Sequence, residues 1–153
     1  MKLVLFLLTS VFISFSAIDL QDKSFEWRQI CNGKDSGIEL RKTEIFRSAK
    51  SFEKAWKLLR KTNQQLPESP PKIDFKKKTV IAFYAGSETR GLETDSLRIV
   101  KNELIVRLTR TVVDVNCKEA KLPFTPYVWI ETDRIGWNVL KTQDRVRTID
   151  CNK

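Results

Sequence analysis

Thr79-Val80-Ile81-Ala82-Phe83-Tyr84-Ala85 is the most hydrophobic stretch after the amino-terminal segment. In an extended chain Val80, Ala82 and Tyr84 share one face, and Ile81, Phe83 and Ala85 the other. A strand with no polar face belongs inside a sheet that is covered on both sides. Pro70-Pro71 and the lysines Lys76, Lys77 and Lys78 precede it. The prolines force an extended approach, and charge beside a hydrophobic strand guards against aggregation. The strand empties into Gly86-Ser87-Glu88-Thr89-Arg90-Gly91.

One cover for this strand is a helix. Phe52, Ala55, Trp56 and Leu59 recur at i, i+3, i+4 and i+7, which predicts an amphipathic helix from about Ser51 to Asn63. Ser48 or Ser51 supplies its cap. Pro67, Pro70 and Pro71 end it. The other cover is an opposing layer of strands. Upstream, Ser24 to Ile30 and Ile38 to Phe46 read as strands about an Asn32–Gly37 turn. Downstream, Ser96 to Lys101 and Leu104 to Val115 form a hairpin turning at Lys101-Asn102-Glu103. The apolar alternation slips near Arg110 and Thr111, which predicts a β-bulge there. Asn116 to Lys121 is a charged loop carrying Cys117, with Pro123 and Pro126 leading into a strand from Tyr127 to Ile130. Ile135 to Val139 and Arg145 to Cys151 read as two further strands. The expected fold is α+β: mostly antiparallel β, six or more strands in a sandwich- or barrel-like arrangement, with one amphipathic helix packed on the sheet.

The first residues are a separate matter. Lys2 is followed by a run from Leu3 to Phe15 that is apolar except for Thr9, Ser10 and Ser14. A charged start, a short apolar run and small residues at its exit describe a secretory signal peptide. The spacing places cleavage after Ser16, with Ala17 the second choice. The run falls short of a membrane span, and no later segment is long and apolar enough to cross a bilayer. Residues 1–16 are therefore expected to be removed, leaving 17–153 as one exported domain, located in the periplasm, at the cell surface or in the medium.

Charge and cysteine content fit that compartment. The 28 basic and 19 acidic residues give +9. Such a balance can serve acidic polymers or lipid, but it is also what a well-solvated surface requires. An export signal argues against nucleic acid as the partner. Of the three cysteines, Cys31, Cys117 and Cys151, an oxidising compartment would pair two. All three pairings are open. Cys31 with Cys151 is preferred, because the first and last strands of small β domains can lie side by side. Without paired Cys spacing or histidine, no metal site is expected.

The chain contains no histidine. That removes Ser-His-Asp and Cys-His catalysis. No carboxylates stand in a context that marks an acid–base pair, so neither a catalytic residue nor a cofactor is assigned. The loop from Gly86 to Gly91 has spaced glycines but continues Leu92-Glu93, without the Lys-Ser/Thr that holds phosphate and Mg²⁺. A plain reading makes it a turn that reverses the chain. A sharper reading makes Ser87, Glu88, Thr89, Arg90 and Gly91 a partner-contact loop displayed from a rigid strand, with Arg90 its anchor.

The order of motifs resembles a known family. Ser36-Gly37-Ile38 is followed by Ser51-Phe52-Glu53-Lys54-Ala55-Trp56 and then Pro71-Lys72-Ile73-Asp74-Phe75. Thr79 to Gly86, a Leu-Ile-Val hairpin strand and Pro126-Tyr127-Val128-Trp129-Ile130 complete it. This order is similar to the C-terminal domain of the protease complex subunit PrcB family of exported bacterial proteins, over about Ile38 to Ile130. Where family members have a Thr-Gly-Gly-Tyr-like loop, this chain has Thr89-Arg90-Gly91-Leu92. The resemblance implies a non-catalytic accessory or stabilising subunit with a protein partner, such as a protease. Two other functions remain open on the residues: a protease inhibitor acting through the Gly86–Gly91 loop, and a binder of anionic surface polymer or lipid.

Overall fold

The computed structural model describes residues 26–114, 117 and 124–150. The expected signal peptide, the start of the first strand, most of the Cys117 loop and Cys151 lie outside the described residues. In chain order the elements are β1 (Trp27–Gly33), β2 (Lys42–Phe46), α1 (Ala49–Thr62), β3 (Lys78–Tyr84), β4 (Gly91–Val100), β5 (Glu103–Val113), β6 (Tyr127–Asp133) and β7 (Val139–Ile149). They form an α+β sandwich. One sheet has the order β1-β6-β3-β2 and the other β4-β5-β7.

The opening stretch has the place its composition predicts. β3 lies between β6 and β2. Val80, Ala82 and Tyr84 face α1 together with Tyr127 and Trp129 of β6, while Ile81, Phe83 and Ala85 face the second sheet with Val128 and Ile130. Leu97, Leu104, Val106 and Leu108 close that second layer. On the helix side, rings of Phe46, Phe52, Trp56 and Tyr84 surround Trp129 at centroid distances of 5.3 to 6.4 Å. Tilted and edge-on packing at such distances adds to the hydrophobic gain of burying the rings.

Helix α1 forms for local reasons. Ser48 is its N-cap, in extended backbone conformation, and its hydroxyl accepts from the Ser51 N–H. Arg60 and Lys61 occupy the last turn, where they complement the helix dipole. Phe52, Trp56 and Leu59 are buried beneath it. The connector beyond returns over the helix, and Trp56 Nε1 donates to the Pro67 carbonyl at 3.1 Å.

Four expectations need correction. β2 starts at Lys42 rather than Ile38. The residues ahead of it serve as a loop, whose Glu39 carbonyl accepts from Ser87 N–H at 2.9 Å. The hairpin turns at Lys101 and Asn102, both at positive φ, but its bulge is at Asp95 in β4, between Thr94 and Ser96. At Arg110 no bulge is needed: Arg110 keeps to the inward side of β5 and is held there by Asp144 at 2.9 Å. The two expected final strands are one, β7. Trp137 is buried from a loop instead, with Nε1 donating to the Asp133 carbonyl at 3.1 Å, so its alternation with Ile135 and Val139 is coincidental. Lastly, Gly86–Gly91 does not reverse the chain within a sheet. It carries the chain from β3 in one sheet to β4 in the other.

Candidate partner-binding surface

β7 is built differently from every other strand. It pairs with β5 in parallel, residue for residue from Glu103↔Val139 to Val113↔Ile149, and this is the one parallel strand pair described. Among the described residues nothing pairs with its other edge. Apart from half-buried Leu140, every residue of β7 is exposed. The strand overhangs the core: Leu104, Val106 and Leu108 face inward, but of their neighbours on β7 only Leu140 packs against the interior.

The register decides which side chains share the outer face. Lys141, Gln143, Arg145 and Arg147 stand beside Ile105, Arg107, Thr109 and Thr111. Ser96 of β4 lies opposite Arg107. A shallow groove of about 510 Å³ runs between these strands, lined by Asp95, Ser96, Arg107, Gln143, Arg145 and Arg147, among others. Asp95 is engaged within it, accepting from Thr109 Oγ1 at 2.7 Å. Arg107, Arg145 and Arg147 make no hydrogen bond or ion pair with the described residues. Asp144, which also lines the groove, is held between Arg110 and Arg41.

The Gly86–Gly91 loop lies at one end of this sheet. Gly91 pairs with Thr111, which pairs in turn with Arg147. The Arg90 N–H donates to the Thr111 carbonyl at 2.7 Å. Of the expected contact residues, Ser87 and Glu88 are exposed. Thr89 is 1% exposed, with its hydroxyl directed to the Ala85 carbonyl. Arg90 is half-buried with its guanidinium 5.3 Å from the centre of the Phe124 ring. The loop is thus a fastening between the sheets more than a displayed finger. The Cys117 region reaches the same end, where Cys117 Sγ is 3.9 Å from the Ile149 carbonyl.

The preferred cysteine pair is not formed. Cys31 is a free thiol on β1, while Cys117 is disulfide-bonded. The premise fails because β1 and β7 belong to different sheets. Cys31 lies against the helix-side core, and burial pushes its thiol from an ordinary 9.0 up to about 12. Burial likewise raises Tyr127 to about 12, although the Asn63 amide donates to its hydroxyl at 2.8 Å.

A second cavity, of about 330 Å³, lies between α1 and β2. Its lining includes the apolar Ile38, Leu58 and Leu59 together with Tyr84 and Glu44. The Tyr84 hydroxyl donates to Glu44 at 3.4 Å, and burial followed by the Glu44 charge drives its ionisation far above the ordinary range. Such a phenol is a fixed hydrogen-bond donor, unsuited to acid–base work near neutral pH.

Sequence reasoning missed the three arginines. Arg145 and Arg147 are two apart in a strand and so share a face, a signal that was present. Arg107 joins them only through a parallel register that no local pattern encodes. Compared with protein-family models, curated proteins and solved structures, the chain matches none of them.

Proposed function

We propose that this chain is an exported, non-catalytic protein-interaction domain that receives an extended segment of its partner along the open edge of β7. The observation that carries this reading is a strand of 11 residues with one edge unpaired among the described residues and nearly all its side chains exposed. Such an edge presents unpaired backbone N–H and C=O groups, a template onto which another strand can add. The apolar Val139, Val146 and Ile149 are also exposed there. The lack of histidine supports a role without catalysis. The amino-terminal apolar run and a disulfide at Cys117 both suit export. The PrcB resemblance supplies the setting, an accessory or stabilising subunit of a protease complex.

The loop lends the protease-inhibitor alternative less support. Thr89 and Arg90 are packed inward, leaving only Ser87 and Glu88 to enter a cleft.

The test is selection from a library of displayed extended peptides, followed by hydrogen exchange on the complex. Protection of amides in residues 139–149 is the expected result. Selected peptides that protect Gly86–Gly91 and leave β7 unchanged would overturn the reading. Mass measurement of the exported chain checks the other half, with residue 17 expected first.

A further inference from the structure

The free edge and the unpaired arginines together define the kind of partner. We infer that the segment received by β7 is an acidic strand, with carboxylates at alternate positions placed beside Arg145 and Arg147 and with Arg107, one strand further in, adding to the positive face. This rests on the strand-addition reading above and adds the chemistry of the occupant.

Three observations support it. First, Arg145 and Arg147 project from the same face of β7, two residues apart. An added strand carries its own side chains on that face with the same period of two. A glutamate or aspartate at every second position therefore falls beside successive arginines. Second, Arg107, Arg145 and Arg147 have no partners among the described residues, although Asp95 lies in the same groove. Asp95 accepts from Thr109 instead, and β7's own carboxylate, Asp144, which also lines the groove, is held by Arg41 and Arg110. Arginine's planar fork suits bidentate binding of carboxylate.

Third, the charges disfavour the simplest rival, a second copy of this chain, even with Lys141 paired to Glu103. Antiparallel pairing of β7 with itself over most of its length sets like charges opposite in every register that keeps the faces matched. Centred on Asp144, Lys141 opposes Arg147. One step to either side, Lys141 opposes Arg145 or Arg145 opposes itself. Like charges directly opposite destabilise a strand pair. Charges on an exposed edge also prevent self-association. Here the same residues repel a copy and attract an acidic strand. An anionic polymer or lipid surface would use the arginines but not the backbone edge, and the edge is what favours a peptide.

The experiment uses the whole mature chain and a set of labelled synthetic peptides about ten residues long. One alternates Glu with Val or Thr. A second has Gln for every Glu. A third keeps the acids but carries prolines that forbid pairing. Binding is read by fluorescence anisotropy at about 0.15 M salt. The alternating acidic peptide is expected to bind about tenfold tighter than its Gln counterpart, the strength of a few exposed ion pairs. R145Q and R147Q should each remove several-fold of that preference, and amides in residues 139–149 should be protected.

Equal binding of the Glu and Gln peptides with β7 protected would overturn the acidic occupant and leave strand addition standing. Equal binding of the proline-broken acidic peptide, or of vesicles rich in anionic lipid, without protection of β7 would overturn both and identify the face as a general anion surface.

Discussion

Arg41 and Asp144 join the two sheets. Arg41 stands just before β2 in the four-stranded sheet, Asp144 is in the middle of β7 in the other, and the guanidinium donates to the carboxylate at 2.7 Å. Arg110 on β5 reaches the same carboxylate at 2.9 Å. The overhanging strand is thus tied down where it passes beyond the core. Asp144→Ala should cost about 1 to 2 kcal/mol, since it leaves the mostly buried Arg110 without its partner. Arg41→Ala should cost less, on the order of 0.5 kcal/mol, because Asp144 keeps Arg110 and Arg41 is the more exposed partner. Urea unfolding of both variants checks the ranking; equal costs would contradict it.

Gly86 should be the least replaceable glycine of the central loop. Its φ is +81°, and an added Cβ would lie 2.8 Å from the Glu39 carbonyl oxygen and 3.1 Å from Arg41 N. Gly86→Ala should lose about 2 kcal/mol or more, combining strain at positive φ with displacement of backbone. Gly91→Ala should lose less, since its Cβ would meet the Thr111 side chain at 3.3 Å with no positive φ. Thermal unfolding of the two variants decides the order.

Arg90 should matter for stability before recognition. Its guanidinium lies over the Phe124 ring and its backbone N–H is bonded to β5. Arg90→Ala should cost about 1 to 2 kcal/mol, from the lost cation–π contact and packed stem. Ser87→Ala and Glu88→Ala should stay within about 0.5 kcal/mol of the parent, as exposed substitutions do. A Glu88→Ala variant that folds normally but loses peptide binding would restore the loop as the contact site.

The cysteines give a prediction in thiol counts and in pH. Without reductant, the folded chain should resist Ellman's reagent at pH 8, because Cys31 is mostly buried and its thiol is pushed up to about 12. After unfolding in urea one thiol should react, and after reduction all three. Peptide mapping should find a bridge at Cys117 that does not include Cys31. The pH dependence follows from the raised values of Cys31 and Tyr127, each about 12 when folded. Below the ordinary thiol value of 9.0 both states are protonated and the contribution is fully present. Between there and about 12 the unfolded chain ionises first, so stability should fall as pH rises. Cys31→Ala should flatten the lower part of that fall; an unchanged profile would remove Cys31 as its cause.

The sequence by itself determined the layers. The two apolar faces of Thr79–Ala85 require a cover on each side, and the Phe52–Leu59 stripe identifies one cover as a helix. Both follow from periodicity, a property of neighbouring residues. The Lys101-Asn102 turn was legible for the same reason. Only the tertiary structure decided where the chain crosses between sheets and which strand is left open. The parallel alignment of β7 on β5 joins residues far apart in sequence, and no local pattern sets it. That alignment puts Arg107 on the same face as Arg145 and Arg147, places Asp144 between Arg41 and Arg110, and puts Cys31 in a different sheet from β7. The bulge expected at Arg110 shows the limit in small: the slipped alternation was real, but a cross-strand carboxylate resolves it, and that carboxylate lies 34 residues away.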